Sequence, residues 1–313
     1  MSIHFNGPSP AVLFYFTKDK KIPLSELEMR SENWLSTANL YQLPLFCQYG
    51  LGAPGFGSWR ELYSNQQTTQ WILEKSSESF SALYHWCILP VEGSDPLPNE
   101  DLENSRIQIG FWENSDSVSR RYKAIQDPKV EIVLFSEFIA VTLLDWIKWQ
   151  NASADQFETA LDFIDQKLLK TIEFMQSQNF LHFDAHFENI MTDGKILYFN
   201  DLGLSLSKKF TLQKEEVDFF QSHKNCDCAR SAVGFMHAII VSAGGSDNWK
   251  LKLREEVQSE KSNLPERARF YIKKYGPLAL VMLEFSEKLK TISRNTPFPQ
   301  IEVERLIDAN KIY

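Results

Sequence analysis

Between Phe180 and Gly203 the chain reads Phe-Leu-His-Phe-Asp-Ala-His-Phe-Glu-Asn-Ile-Met-Thr-Asp-Gly-Lys-Ile-Leu-Tyr-Phe-Asn-Asp-Leu-Gly. His182, Asp184, His186, Asn189 and Asp201 are its groups with chemical uses. Mg²⁺ takes hard oxygen ligands, one or two carboxylates together with phosphate oxygens and water. Asn189 and Asp201 offer an amide oxygen and a carboxylate of that kind. Asp184 is then left to accept a proton or orient a hydroxyl. Such a set suits phosphoryl transfer, which depends on positioning and charge neutralisation more than on covalent help from the protein. The alternation of His182, Asp184 and His186 could instead ligate a transition metal, given a further ligand from elsewhere in the chain.

These groups need a frame. Thr192-Asp193-Gly194 is a turn signal between two short apolar runs, Asn189 to Met191 and Lys195 to Phe199. A hairpin here brings Asn189 close to Asp201, with Asp184 in the loop beside them. Leu161, Ile164, Leu168, Ile172 and Met175 recur at steps of three and four, the apolar face of a long helix that ends at Gln178-Asn179. The carboxylates Glu158, Asp162 and Asp165 are expected on its solvated face.

Upstream, Ala11 to Thr17, Leu83 to Leu89 and Val130 to Phe135 read as strands, the first followed by the charged run Lys18 to Lys21. Helices are expected from Pro23 through Leu40, from Trp59 to Glu74 with Glu61 in the first turn, over Arg106 to Ile125, and from Leu143 to Trp149. The glycines of Tyr49 to Ser58 resemble a phosphate-binding loop in composition only, since their spacing fits neither glycine-rich phosphate motif. After Gly203 the chain is irregular to Phe210. Helical stretches follow at Lys214 to Ser222, Asp227 to Ser242, Trp249 to Lys261, Pro265 to Tyr275 and Pro277 to Ile292, the last two separated by Gly276-Pro277. A strand-bearing first part thus meets a helix-rich second part near residues 136–142. The expected class is α+β in two unequal lobes, 1–138 and 139–313.

Bulk properties narrow the function classes. A net charge of −8 argues against a chain built to coat nucleic acid or anionic membrane. Cys47, Cys87, Cys226 and Cys228 make neither a disulfide framework nor a zinc spacing, and read as structural thiols in a reducing compartment. No secretory signal and no membrane-length apolar run is visible, so the expected location is the cytoplasm, with export by a route that needs no N-terminal signal left open.

His182-Phe-Asp184-Ala-His186-Phe-Glu-Asn189 resembles the protein-kinase catalytic-loop pattern His-x-Asp-x-x-x-x-Asn, and Asn200-Asp201-Leu202-Gly203 resembles the Asp-Phe-Gly metal site with Leu for Phe. His186, where eukaryotic-type Ser/Thr kinases carry Lys, is similar to the aminoglycoside phosphotransferase and choline kinase branch. Several stretches look like a group of bacterial stand-alone kinase-like proteins of unsettled substrate: Ile22-Pro-Leu-Ser-Glu-Leu, Ser36-Thr-Ala-Asn-Leu, Gly55-Phe-Gly-Ser-Trp-Arg-Glu-Leu, Leu83-Tyr-His-Trp, and Phe180 to Ser207.

This resemblance implies a bilobal kinase-like fold. A small, abbreviated, strand-bearing N-lobe (1–138) would serve the nucleotide, and a helical C-lobe (139–313) would carry the catalytic loop and metal site. It implies ATP and Mg²⁺ as cofactors, Asp184 as catalytic base with His186 near phosphate or acceptor, and Asn189 and Asp201 as metal ligands. A strand lysine, Lys20 or Lys18, paired with Glu61 would hold phosphate. Asp227 resembles the buried aspartate that holds the kinase catalytic loop, though capping of its own helix accounts for it equally well. Only ten residues precede Ala11, which leaves little room for a glycine loop over ATP; the N-lobe is expected to hold nucleotide loosely, hold it differently, or to have lost it. The short stretch after Gly203 lacks an activation segment, which favours a small-molecule acceptor over a protein. The expected partners are nucleotide and an unknown acceptor, with no nucleic acid and no membrane span. A catalytically silent binding module and a nucleotidyl-transferring enzyme of the same fold are the competing expectations.

Overall fold

The computed structural model describes residues 15–23, 36–50, 55–90, 107, 109–126, 128–244 and 248–313, with 15–23, 126, 128 and 129 described by their backbone alone. Helix and sheet are both present, helix in large excess, compatible with an α+β class. The chain divides into two compact units: residues 1–138 with 202–218, and residues 139–201 with 219–313. The sequence division had placed 202–218 in the second part; in the structure it clusters with the first.

The first unit is built on a three-stranded antiparallel sheet of order β1–β3–β2, with β1 Tyr15–Pro23, β2 Leu83–Pro90 and β3 Pro128–Glu137. The central strand β3 is apolar and gains a ladder on both edges, the arrangement in which Val, Ile and Phe are best buried. Its pull extends β1 beyond the expected Thr17: Lys18 stands opposite Leu134 and Lys20 opposite Ile132, so the charged run lies inside the strand. Ile132 and Leu134 pack with Leu83 and with Trp59 and Leu62 of helix α1 (Ser58–Leu73). The helix expected through Leu40 does not reach it, since residues 36–39 are non-helical. Asn39 explains this locally. Its side chain donates to the Leu43 carbonyl and accepts from the Leu43 N–H, both at 2.8 Å, and so competes with a helical ladder.

A second face of α1 is polar yet buried. Arg60, Ser64 and Gln67, one above another, meet the returning segment 202–218. The Ser64 and Ser205 hydroxyls are 2.6 Å apart, Ser207 donates to Gln67 Oε1 at 3.1 Å, and the Thr211 N–H donates to Thr37 Oγ1 at 2.8 Å. Arg60 Nη2 donates to Glu216 at 2.6 Å, and its Nε donates to the Thr37 carbonyl at 2.7 Å. The guanidinium also lies over the rings of Phe56 and Phe210. The expected helical stretch is interrupted at Glu113 and Asn114, both with positive φ: residues 107 and 109–111 are helical before the break, and helix α2 (Asp116–Gln126) follows it and closes a small cluster of Leu43, Cys47, Phe56, Trp112 and Val118.

The second unit is helical around one hairpin. Helix α3 (Leu143–Trp149) is capped by Thr142, whose hydroxyl accepts from the Asp145 N–H, and α4 (Ala154–Ser177) is capped by Ser153. All five apolar residues of the α4 stripe are fully buried or nearly so. A two-residue strand β4 (Phe180–Leu181) leads into the loop, and β5 (Ile190–Thr192) pairs with β6 (Leu197–Phe199). Helix α5 (Lys214–Ser222) bridges the two units in sequence; α6 (Cys226–Ser242), α7 (Trp249–Gln258), α8 (Glu266–Thr291) and α9 (Gln300–Ala309) complete the second.

The pair expected on either side of Gly276-Pro277 is one continuous helix, α8. Packing overrides the proline: a Cβ on Gly276 would lie 2.4 Å from Val257 Cγ2, so the missing side chain is what lets α7 seat against this turn. The carboxylates of α4 are not merely solvated. Glu158 accepts from the Arg267 N–H, Asp162 from the Tyr271 hydroxyl, and Asp165 from Lys274 and Tyr275, which pins α8 to α4.

Candidate functional site

The hairpin turn is fixed by its own side chains. Asp193 Oδ1 accepts from the Lys195 and Ile196 N–H groups at 2.8 and 2.9 Å, and Gly194 supplies φ +84°. Register follows: Ile190 faces Phe199, and the Asn200 N–H donates to the Asn189 carbonyl at 2.9 Å. Asp201 is therefore one residue beyond the partner of Asn189. It is exposed and takes a left-handed backbone, φ +56°, a conformation open to Asp at modest cost.

The loop before the hairpin is held from beneath. Asp227, 1% exposed, accepts from the His182 N–H and the Phe183 N–H, both at 2.7 Å. It does not cap α6, whose N-cap position is Asn225. Of the two roles open from sequence, the loop-holding one is the one observed. Burial pushes the Asp227 carboxyl above its ordinary pKa, against the two N–H bonds and the positive charge of Arg230. Phe183 is buried with φ +63°, a strained state for a bulky residue, and stacks on Phe219 with ring centroids 5.7 Å apart. His182 is fully buried. Its Nδ1 accepts from the Asp184 N–H at 3.2 Å, so Nε2 carries the hydrogen donated to the Asn200 carbonyl at 2.8 Å. Both ring nitrogens are committed to backbone, and among the described residues no three His, Cys, Asp or Glu side chains gather as a metal cage. His182 therefore has no ring nitrogen left for a metal.

Asp184 is gripped at both oxygens. Oδ2 accepts from Asn189 Nδ2 at 3.0 Å, and Oδ1 accepts from Arg230 Nη2 at 3.0 Å. Asn189 Nδ2 also donates to the Asp184 carbonyl at 3.1 Å, which leaves the amide oxygen of Asn189 as the atom suited to a cation. His186 Nε2 lies 3.8 Å from Asp184 Oδ2, while its Nδ1 accepts from the Glu188 N–H at 3.3 Å. Asp184, His186 and Asn189 are thus in mutual contact, with Asp201 adjoining through the hairpin.

Arg230 was not singled out in the sequence. Its partner lies 46 residues away, and the available signal was its position one helical turn after Asp227. Beside this group opens a cavity of about 210 Å³, lined among others by Leu144, His186, Phe187, Arg230, His237 and Trp249. Burial lowers the pKa of the His237 imidazole, with Glu188 opposing and Lys148 assisting.

Glu61 lies in the first unit, in the opening turn of α1 and 2% exposed. The Lys18 and Lys20 side chains lie outside the described residues; their register partners Leu134 and Ile132 belong to the sheet face packed on α1. Cys47, Cys87, Cys226 and Cys228 are free thiols. Among the described residues, no helix is long and apolar enough to cross a membrane. Compared with protein-family models and with curated proteins, the chain matches no family model and has no significant match among the curated sequences.

Proposed function

We propose that the chain is an ATP- and Mg²⁺-dependent phosphotransferase of bilobal kinase-like fold, with an acceptor other than nucleic acid. One observation carries the reading: a carboxylate, Asp184, and an amide, Asn189, locked together on a loop that a buried carboxylate, Asp227, holds by two backbone N–H groups. A side chain that must act on a bound hydroxyl needs this kind of fixed placement.

Asp184 would accept the proton of the acceptor hydroxyl as that oxygen bonds to the γ-phosphorus and the bond to the ADP oxygen breaks, giving ADP and a phosphorylated acceptor. Asn189 Oδ1 and the exposed Asp201 carboxylate fit Mg²⁺, a hard cation content with few protein oxygens. Bound there, Mg²⁺ would supply charge neutralisation of the phosphates. Glu61 with Lys18 or Lys20 would hold phosphate, as the kinase resemblance implies. Purified protein should show an Mg²⁺-dependent thermal shift with ATP and form ADP. Asp184→Asn should lower turnover ~10²–10⁴-fold with nucleotide binding retained, and Asp201→Asn should weaken the Mg²⁺-dependent shift. Wild-type turnover in both variants would end this assignment.

A second reading, a binding module without transfer activity, draws on Arg230 and Asn189 occupying both oxygens of Asp184. Nucleotide binding with no ADP formation under any acceptor would favour it.

A further inference from the structure

The cavity of about 210 Å³ runs along α6, whose Arg230, Gly234 and His237 recur on its wall at steps of four and three. Seven residues of helix separate Arg230 from His237, about 10 Å along the axis, so the cavity has two ends. At the first, Arg230 Nη2 donates to Asp184 Oδ1 at 3.0 Å, and His186 Nε2 lies 3.8 Å from Asp184 Oδ2. A carboxylate oxygen accepts more than one hydrogen bond, so a hydroxyl can reach Oδ1 with Arg230 in place. His186 Nδ1 accepts from the Glu188 N–H, which puts the hydrogen of the neutral ring on Nε2, at the Asp184 side.

The far end is different in kind. His237 is half-buried and packs on Trp249 with ring centroids 4.7 Å apart. Neither of its ring nitrogens makes a hydrogen bond to a described residue. Burial lowers its pKa from the ordinary 6.5, so above that pH the ring is neutral and offers one donor and one acceptor. Between the ends the wall is apolar. Gly234 lets the Phe187 ring lie against the helix (a Cβ there would be 2.8 Å from Phe187 Cδ1), and Leu144, Val233 and Met282 also line the cavity. Aromatic rings and a thioether make favourable contacts with a further aromatic ring. The charged side chains on the wall call for no counter-charge inside it: Arg230 is bonded to Asp184, and the Glu188 carboxylate is largely exposed. The volume admits on the order of seven water-sized groups, one ring with short substituents and not a folded segment.

We propose that this cavity binds a small neutral aromatic alcohol, with a hydroxyl at Asp184 and a second hydrogen-bonding group at His237. That the ligand is the acceptor rests on the phosphotransferase reading; its binding does not, and the test uses no ATP. Ligand-observed NMR titration of the full chain compares para-hydroxybenzyl alcohol, benzyl alcohol, para-hydroxymethylbenzoate and glycerol. The first should bind ~tenfold or more tighter than glycerol, which has no apolar body. It should bind about threefold to tenfold tighter than benzyl alcohol, which has nothing to offer His237. The benzoate should bind more weakly than para-hydroxybenzyl alcohol. His237→Phe keeps a ring against Trp249 and should bring para-hydroxybenzyl and benzyl alcohol to equal affinity, whereas His237→Gln should keep part of the preference. Equal affinity of the wild-type protein for those two alcohols overturns the proposal, whatever the variants do. So does tightest binding of the benzoate or of glycerol, binding of none of the four, or a preference that survives in a folded His237→Phe protein. If the ranking holds and no ATP turnover is found with any acceptor, the aromatic site stands and the phosphotransferase reading falls; if ATP is turned over and the ranking fails, the reverse holds.

Discussion

Replacing Asp227 with alanine tests the claim that this one carboxylate holds the loop of Asp184. The carboxylate is 1% exposed and takes two N–H bonds at 2.7 Å. Its removal leaves two backbone donors buried without a partner, at about 1–3 kcal/mol each. Against this, Phe183 would be released from a left-handed backbone (φ +63°) whose cost is on the order of 1–3 kcal/mol. The balance is a loss of about 2 kcal/mol, a sizeable part of the total stability of a typical domain. Asp227→Asn keeps one acceptor and turns an NH₂ toward the other N–H, so it should lose nearly as much despite its matching shape. Urea unfolding followed by far-UV circular dichroism reads the change. If the two units melt separately, only the transition that contains α4 and α6 should move. A folded Asp227→Ala protein within ~0.5 kcal/mol of wild type would refute the bracing role.

Two further outcomes follow from buried charge and titration. His223 is packed among Phe183, Phe219 and Phe298, and burial lowers its pKa to about 4 from the ordinary 6.5. Between those values the unfolded chain binds the extra proton, so stability is full above pH 6.5 and falls by about 3 kcal/mol as the pH drops to 4. His223→Phe should flatten that part of the acid limb relative to wild type, and an unchanged slope would exclude His223 as its source. Arg60→Met should cost ~3–5 kcal/mol because Glu216 is left charged and buried, whereas Arg60→Met with Glu216→Met should recover most of it; strict additivity in this cycle would mean the two side chains do not depend on one another.

Local chemistry was the legible part of the sequence. Thr192-Asp193-Gly194 specifies a turn through its own side chains, so the hairpin could be read directly; the backbone bond it makes joins Asn189 to Asn200, one residue short of the expected Asp201. The α4 stripe was legible for the same reason, periodicity being a property of neighbours. What could not be read depends on distant partners. Lys18 to Lys21 look like the end of a strand until β3 is known to pair with them. Pro277 looks like a helix break until Val257 is seen against Gly276. Asp227 had two roles open to it, and only the position of the His182 and Phe183 N–H groups separates them. Arg230 carries no motif at all; it matters because α6 runs beneath the loop.

The discontinuous make-up of the first unit bears on how this chain can be cut. Phe138 ends the first stretch of that unit, and its remainder arrives 64 residues later as 202–218. A fragment stopping at Phe138 would carry the guanidinium of Arg60 without Glu216, Gln67 without Ser207, and Thr37 without Thr211. The polar seam of Arg60, Ser64 and Gln67 on α1 would then face water. Separation of the units for independent study therefore calls for a graft, in which 202–218 is rejoined to the sheet-bearing stretch by a designed linker, and not for a simple truncation.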